Sequence, residues 1–341
     1  MDINSIMAKI TEGLSGNPEA DLKVLRKAME AYKEHPQAKE ILRACGRLMF
    51  NLLPESAKRQ FEQAVQDDNQ LIQEKLNKIR RAAHAGDFEN ALQGVEALIK
   101  DAQTPGLFAD DTVSAYFTFD EAFERALYFH LFKPIKQMRD AQFPFAEIYT
   151  LQGSVLFDLK RFEEAKAALE KARRWNPVSA AIAFEHAETC KMLGRMDAFF
   201  ALTVDAMRFC FKPEHLARAY RNLGYYFIER QGFEVAAACL YLSLALEPDS
   251  PMDHHELRYI AHKTGSLPPP PRPEQTRAMA GRHGFPFGPS EDVIGLALAL
   301  GRQARKDRVP QAAAYYLGIA HRLTGDEALG RELAELEGGS N

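Results

Sequence analysis

The 341-residue chain is 46% hydrophobic and 26% charged, with a formal net charge of −4. It can bury a continuous core but lacks the strong basicity of a dedicated nucleic-acid-binding domain, so no nucleic-acid partner is expected. No apolar stretch approaches the ~18 residues that span a bilayer, and MDINSIMAKITEGL has no basic segment leading into an apolar core, so neither a membrane partner nor a secretory signal is expected.

Ile3, Ile6, Met7, Ile10 and Leu14 keep helical spacing and predict a first amphipathic helix, stopped at Ser15-Gly16-Asn17-Pro18. A second covers Ala20 to Glu34, with Leu22, Leu25, Ala28, Met29 and Tyr32 inward, and Pro36 ends it. A third runs from Gln37 to Leu53, where Pro54 opens a fourth as its first residue. Gly86-Asp87-Phe88-Glu89-Asn90-Ala91 then reads as a turn leading into a helix, with Val95 and Leu98 on its buried face. The pattern loosens at Thr104-Pro105-Gly106, and aromatics become dense: Phe108, Tyr116, Phe117, Phe119, Phe123, Tyr128, Phe129, Phe132, Phe143 and Phe145. Rings at helical spacing are expected to pack between helices; the alternative is an exposed patch for a partner.

The strongest signal is Ala146–Pro177, two amphipathic patterns separated by Lys160-Arg161. Small residues at Gly153, Ala165 and Ala172 alternate with Tyr149, Leu156, Phe162 and Leu169, which lets two helix axes approach closely. The spacing returns after about 34 residues, the period of a helical-repeat array. Ala180–Phe211 carries Ala187, Gly194 and Ala206, followed by Pro213; Ala217–Pro248 carries Tyr220, Leu223-Gly224, Phe227, Phe233, Ala236 and Leu240. Met252–Lys263 reads as half of another repeat, interrupted by Pro268–Pro273, a stiff polyproline II spacer or a ligand for a proline-reading domain. A short helix follows over Glu274–Arg282, then the breaker HGFPFGP, then Ser290-Glu291-Asp292 as a helix cap. The final unit uses Leu300-Gly301, Ala304, Ala313, Leu317 and Ala320; a capping helix spans Glu327–Glu337, and Gly338-Gly339-Ser340-Asn341 is a loose end. Leu, Ala, Glu, Lys and Arg dominate and alternating β-branched runs are scarce, so the class is all-α. The expected plan is an N-terminal cap of degenerate hairpins (1–70), repeats (71–250), a variant repeat with the proline insertion (251–290), and a final repeat with its capping helix (291–341).

Tyr220-x-x-Leu223-Gly224-x-x-Phe227, followed by Ala236, Leu240 and Pro248, resembles the tetratricopeptide-repeat signature. Ala146–Pro177 matches it at Tyr149, Gly153, Leu156, Ala165, Leu169, Ala172 and Pro177, departing at Gln152, where the family has Leu; the middle unit has Phe199 where a small residue is usual. The resemblance covers about two thirds of the chain and is specific over 146–250 and 294–326. It implies a right-handed α-solenoid of antiparallel helical hairpins, a non-catalytic interaction module that holds a protein or peptide ligand in a concave groove.

If Tyr149, Gly153 and Leu156 face the neighbouring helix, then Glu147, Thr150, Ser154 and Phe157 lie on another face. By the resemblance that face lines the groove, continued by Phe184, Glu185, Glu188 and Met192, then by Arg218, Arg221, Asn222 and Tyr225. The groove is expected to be acidic on one side and basic on the other. The Lys/Asn/Arg clamp with which some members hold a terminal carboxylate is not reproduced, since Thr150, Ser154 and Glu185 stand there. Arg218, Arg221 and Tyr225 form one stripe for a partner; alternatively, Arg218 and Arg221 pair with Glu185 and Glu188.

Other chemistry finds little support. His255-Glu256-Leu257-Arg258-Tyr259 begins like a zinc-protease helix but has Tyr where the second His must stand, and His254, His255 and His262 are read as exposed or capping side chains. Phosphate-loop and G-x-S-x-G motifs are absent. Cys45, Cys190, Cys210 and Cys239 lie far apart and read as buried reduced thiols of a cytoplasmic protein. The group Arg302, Arg305, Lys306 and Arg308 reads as a solvated helix end. No metal, cofactor or enzymatic activity is expected. A peptide-responsive sensor, and more remotely an enzyme on a helical-repeat frame, remain the alternatives to a scaffold.

Overall fold

A computed structural model describes residues 2–102, 108, 110 and 113–338, without the side chains of 61, 62, 64–68, 102, 337 and 338. The expected break at Thr104-Pro105-Gly106 and the loose end from Gly339 onward lie outside the described residues. The chain divides into two compact units, Met1–Thr118 with Pro134–Pro144, and Phe119–Lys133 with Phe145–Asn341.

The first unit begins with α1 (Ile3–Glu12), α2 (Pro18–Ala31) and α3 (Ala38–Asn51). Asp2 caps α1 by accepting from the Ser5 amide (2.8 Å), and Asn17 caps α2 through the amides of Glu19 and Ala20 (3.1 and 3.2 Å). Their apolar stripes meet at Ile6, Leu25, Ile41 and Cys45, all fully buried. α4 (Glu55–His84) and α5 (Phe88–Ala102) follow as a hairpin; Pro54 stands before α4 and does not open it. β1 (Ser114–Phe117) and β2 (Gln137–Asp140) then pair in parallel, Ser114 opposite Gln137 and Phe117 opposite Asp140. Neither four-residue stretch alternates in a way that betrays a strand.

The second unit contains α6 (Ala122–Phe132), then the hairpins α7–α8 (Phe145–Asp158, Phe162–Trp175), α9–α10 (Ala180–Met192, Met196–Ala206) and α11–α12 (Pro213–Glu229, Phe233–Leu246). α13 (Pro251–Thr264), α14 (Pro273–His283), the hairpin α15–α16 (Glu291–Lys306, Pro310–Thr324) and α17 (Glu327–Gly338) complete it. Each hairpin turns on one left-handed residue: Lys160, Gly194, Gln231 and Arg308, with φ of 59°, 71°, 59° and 59°. The next amide then reaches back five residues, Arg161 to Leu156, Arg195 to Cys190, Gly232 to Phe227 and Val309 to Ala304, at 2.8–2.9 Å. Gly86, with φ of 77°, and the Asp87-to-Ala82 bond (2.9 Å) give the α4–α5 hairpin the same turn. Five positions after the left-handed residue stand Ala91, Ala165, Phe199, Ala236 and Ala313, all buried. The turn and the buried residue that follows it, small in all of these hairpins but α9–α10, are therefore one structural unit.

The left-handed conformation is strained for a residue with a Cβ. Lys160→Gly is expected to stabilise the chain by ~0.5–1 kcal/mol, and Gly194→Ala, whose Cβ would meet nothing within 4 Å, to destabilise it by ~1 kcal/mol. Urea midpoints check both; shifts of the same sign would mean that local packing, not φ, sets the cost.

Within hairpins the closest approach is between a glycine and the leucine sixteen positions on: Gly153 with Leu169, Gly224 with Leu240 and Gly301 with Leu317. A Cβ on these glycines would lie 2.6, 2.9 and 2.6 Å from the leucine side chain, so Gly153 and Gly224 occupy the close contacts their sequence position implies. The α4–α5 hairpin reverses the arrangement: Ile79 fills the glycine position, and its Cγ1 lies 2.8 Å from where a Cβ on Gly94 would stand. Between the second and third hairpins the register lengthens by three residues, the length of the 3-10 turn Met207–Phe209. The last hairpin does not continue the stack from α13: α15 packs on α6 and on that 3-10 turn. The breaker before it is anchored by the Gly288 amide donating to the Tyr220 hydroxyl (2.7 Å) and by Phe285 beside Phe227. The proline segment is held by the Tyr241 hydroxyl, which donates to the Pro268 carbonyl (2.9 Å), and Pro273 opens α14.

Candidate functional site

The expected groove residues lie on α7, α9 and α11, the first helices of three successive hairpins. Ser154, Glu188 and Tyr225 share one position in the register, exposed in the first case and half-buried in the other two. Thr150, Phe184 and Arg221 share another, and this column faces inward. The Thr150 hydroxyl donates to the Ala146 carbonyl of its own helix (2.7 Å), and Phe184 is fully buried beneath the Arg218 guanidinium, 5.4 Å from its ring. Phe184 is thus a core residue, because the turn of α9 that carries it is covered by α11. Phe157 folds over its own hairpin turn, edge-on to Phe162 at 5.3 Å. Glu147 is half-buried at the start of α7.

The two arginines do not form one stripe. Arg218 reaches back to Glu185 of α9 (2.8 Å), as the pairing alternative holds. Arg221 reaches forward: its Nε donates to Asp253 (2.8 Å) and its Nη2 to Glu247 (2.7 Å), not to Glu188. Residues three apart on a helix diverge by about 60°, enough to place them on opposite flanks of α11 against different neighbours. Asp253 is fully buried and also accepts from the Ser243 hydroxyl (2.7 Å), so Arg221 closes a buried polar cluster. Asn222 donates to Thr203 (3.4 Å).

The surface that remains is built around Tyr225. Lys191 lies 4.6 Å above its ring and pairs with Glu188 (2.5 Å), while Phe199 meets it edge-on at 6.2 Å. Burial, and then the carboxylates of Glu229, Glu188 and Glu256, hold the Tyr225 hydroxyl above the usual tyrosine range. Met192, one turn beyond Glu188 on α9, is exposed. Lys191, Glu229 and Glu256 were not legible as neighbours of Tyr225: they come from α9, α11 and α13, and the three-residue lengthening shifts which turns face one another. The expected basic side is absent, since both arginines are engaged in inter-hairpin pairs.

Elsewhere, His254, His255 and His262 are exposed, and no three His, Cys, Asp or Glu side chains gather at metal-binding distance among the described residues. All four cysteines are buried free thiols. Arg305 pairs with Glu332 (2.5 Å), so the basic end of α15 is partly tied to α17. Among the described residues no helix is long and apolar enough to cross a membrane.

A family model described as tetratricopeptide repeat matches residues 146–179. No curated protein matches the chain. Similar solved structures include pilF of Pseudomonas aeruginosa, at 14% identity, covering 79% of this chain and 98% of that one, with a TM-score of 0.42. A tetratricopeptide repeat protein from Parabacteroides merdae is 12% identical over 98% of this chain and 97% of its own, with a TM-score of 0.39. The Cut9–Hcn1 hetero-tetramer of the APC/C matches at 16% identity, covering 96% of this chain and 61% of that one, with a TM-score of 0.33. The matched segment coincides with the α7–α8 hairpin, whose left-handed turn, small-residue position and glycine–leucine contact recur in α11–α12 and α15–α16. The chain thus carries a tetratricopeptide repeat at residues 146–179.

Proposed function

We propose that the repeats form a non-catalytic protein-interaction scaffold whose ligand, an extended or helical segment, lies along the first-helix face at Ser154, Glu188, Met192 and Tyr225. The observation that carries this reading is the division of labour on that face. Phe184, Arg218 and Arg221 are spent on packing one hairpin to the next, while Met192 and the rim of Tyr225 stay accessible beside the carboxylates of Glu229 and Glu256. Glu147, Thr150, Phe157, Glu185 and Asn222 flank the face and support its shape. The buried free thiols suit a reducing compartment, so the cytoplasm is the proposed location.

Met192 and Glu229 are exposed, so the double variant Met192→Glu/Glu229→Arg is expected to keep its stability within ~0.5 kcal/mol. Cross-linking capture from native lysate, quantified against wild type, is expected to lose its specific partners in this variant. Full capture by a variant with an unchanged melting temperature would remove this face from the site.

A further inference from the structure

α6 is seated in the repeat unit by side chains far from it in sequence. Residues on either side of it, up to Thr118 and from Pro134, belong to the other unit, so the segment 119–133 is the part of that stretch contributed to the repeats. Its inward anchors, Phe123 and Leu127, are fully buried and stand four residues apart, the spacing by which a helix fills an apolar groove. The Phe123 ring lies 5.1 Å from Phe211 and 6.3 Å from Tyr316. At the N-terminal end, the Glu121 carboxylate takes the Lys212 ammonium (2.5 Å) and the Tyr315 hydroxyl (2.7 Å). Glu124, 4% exposed, accepts from the Asn176 amide (2.8 Å), and His130 meets Asp292 (3.1 Å). The seat is thus made from the junctions that precede α9 and α11 and from the last hairpin, and it reads both apolar and acidic groups.

This contact differs from those within hairpins. Within hairpins the close contacts are between Gly and Leu, whereas α6 combines its apolar anchors Phe123 and Leu127 with polar anchors that are incompletely satisfied. Asn176 Oδ1 and His215 Nδ1 are buried there without a hydrogen-bond partner. On opening, water satisfies these unpaired groups, which offsets part of the loss of the apolar contacts. We propose that the seat is a second binding site of the array, for an amphipathic helix presenting Glu-x-Phe-Glu-x-x-Leu, and that α6 is its resident, displaceable occupant. A partner helix of the same chemistry competes with Glu121, Phe123, Glu124 and Leu127 for Lys212, Tyr315, Phe211, Tyr316 and Asn176. This site is separate from the first-helix face of the proposed function and stands or falls independently of it.

Occupancy by α6 is also pH-dependent. Burial, opposed by the Asn176 hydrogen bond and reinforced by the Asp120 charge, raises the Glu124 carboxyl from 4.5 to about 7. The charged and titratable groups around it are Asp120 and Glu121 on its own segment, Lys212 and His215 at the start of α11, and Tyr315 on α16. A carboxyl whose folded pKa is raised contributes stability below its unfolded value, and that contribution is lost as pH rises through about 7. α6 is therefore held more weakly at pH 8 than at pH 6.

The test uses the full chain and a labelled peptide of residues 119–133 carrying Phe129→Lys and Phe132→Lys, both at exposed positions, for solubility. A chain with Phe123→Ala/Leu127→Ala is expected to bind this peptide at least tenfold more tightly than wild type does, and adding Lys212→Glu is expected to abolish the gain. A folded Phe123→Ala/Leu127→Ala chain that binds no better than wild type overturns the proposal. Native-state hydrogen exchange on the unmodified chain decides the matter if that variant fails to fold. The α6 amides are expected to open at least tenfold more often than those of α11, and more often at pH 8 than at pH 6 after correction for intrinsic rates. Glu124→Gln is expected to remove the pH difference. Opening of α6 only together with α11 overturns the proposal.

Discussion

Arg221→Glu is expected to destabilise the chain by about 3–5 kcal/mol, the cost of stranding a buried charge by removing its partner. Arg221 is only 18% exposed and holds two carboxylates, Glu247 at the end of α12 and the fully buried Asp253 of α13. The substitution would add a third carboxylate beside Asp253 and Glu247, with no cation left among them. Ser243 cannot compensate, because its single proton is placed between the Ala217 carbonyl (3.0 Å) and Asp253 (2.7 Å). Arg218→Glu provides the contrast within the same helix. Arg218 and Glu185 are 34% and 43% exposed, so their loss is expected to cost no more than ~1 kcal/mol. Urea denaturation of the two variants measures the difference. Equal and small effects would mean that Asp253 is solvated in the native state and that the cluster does not fasten α11 to α13.

These two arginines also show where sequence reading stops. Their spacing and their position on a groove-facing helix were legible, and so was the chance of pairing between hairpins. The identity of Arg221's partners was not, because Asp253 and Glu247 lie in the junction and the next helix, where charge pattern alone gives no direction. The glycine contacts at Gly153 and Gly224 were legible because a missing side chain has one packing consequence at a helix crossing. The left-handed turn was not: Lys160, Gln231 and Arg308 are residues that no turn rule places at positive φ. Only the recurring hydrogen bond to the carbonyl five residues back reveals that they are equivalent to Gly86 and Gly194. The aromatic segment was ambiguous for a real reason. α6 buries Phe123 and Leu127 while Phe129 and Phe132 stay 60% and 45% exposed, so core and surface readings each hold for part of one helix.

Gly224→Ile is expected to cost ~1–3 kcal/mol by overpacking, since its Cβ alone would stand 2.9 Å from Leu240 Cδ2 and 3.0 Å from Cγ. Leu240 is fully buried, so its side chain cannot swing into solvent to make room. The chain itself supplies the compensation: at the same point of the α4–α5 hairpin, Ile79 is accommodated by Gly94. By register Gly94 corresponds to Cys239, eight residues beyond the left-handed turn residue in each hairpin. The pair Gly224→Ile/Cys239→Gly is therefore expected to be more stable than the sum of its single variants by about 1 kcal/mol or more, although Cys239→Gly alone weakens α12 as glycine does in any helix interior. A double-mutant cycle in urea measures that coupling. A coupling near zero would show that the hairpins yield to bulk by moving their axes apart. A positive one would show that each contact conserves volume across the crossing rather than a glycine at one position.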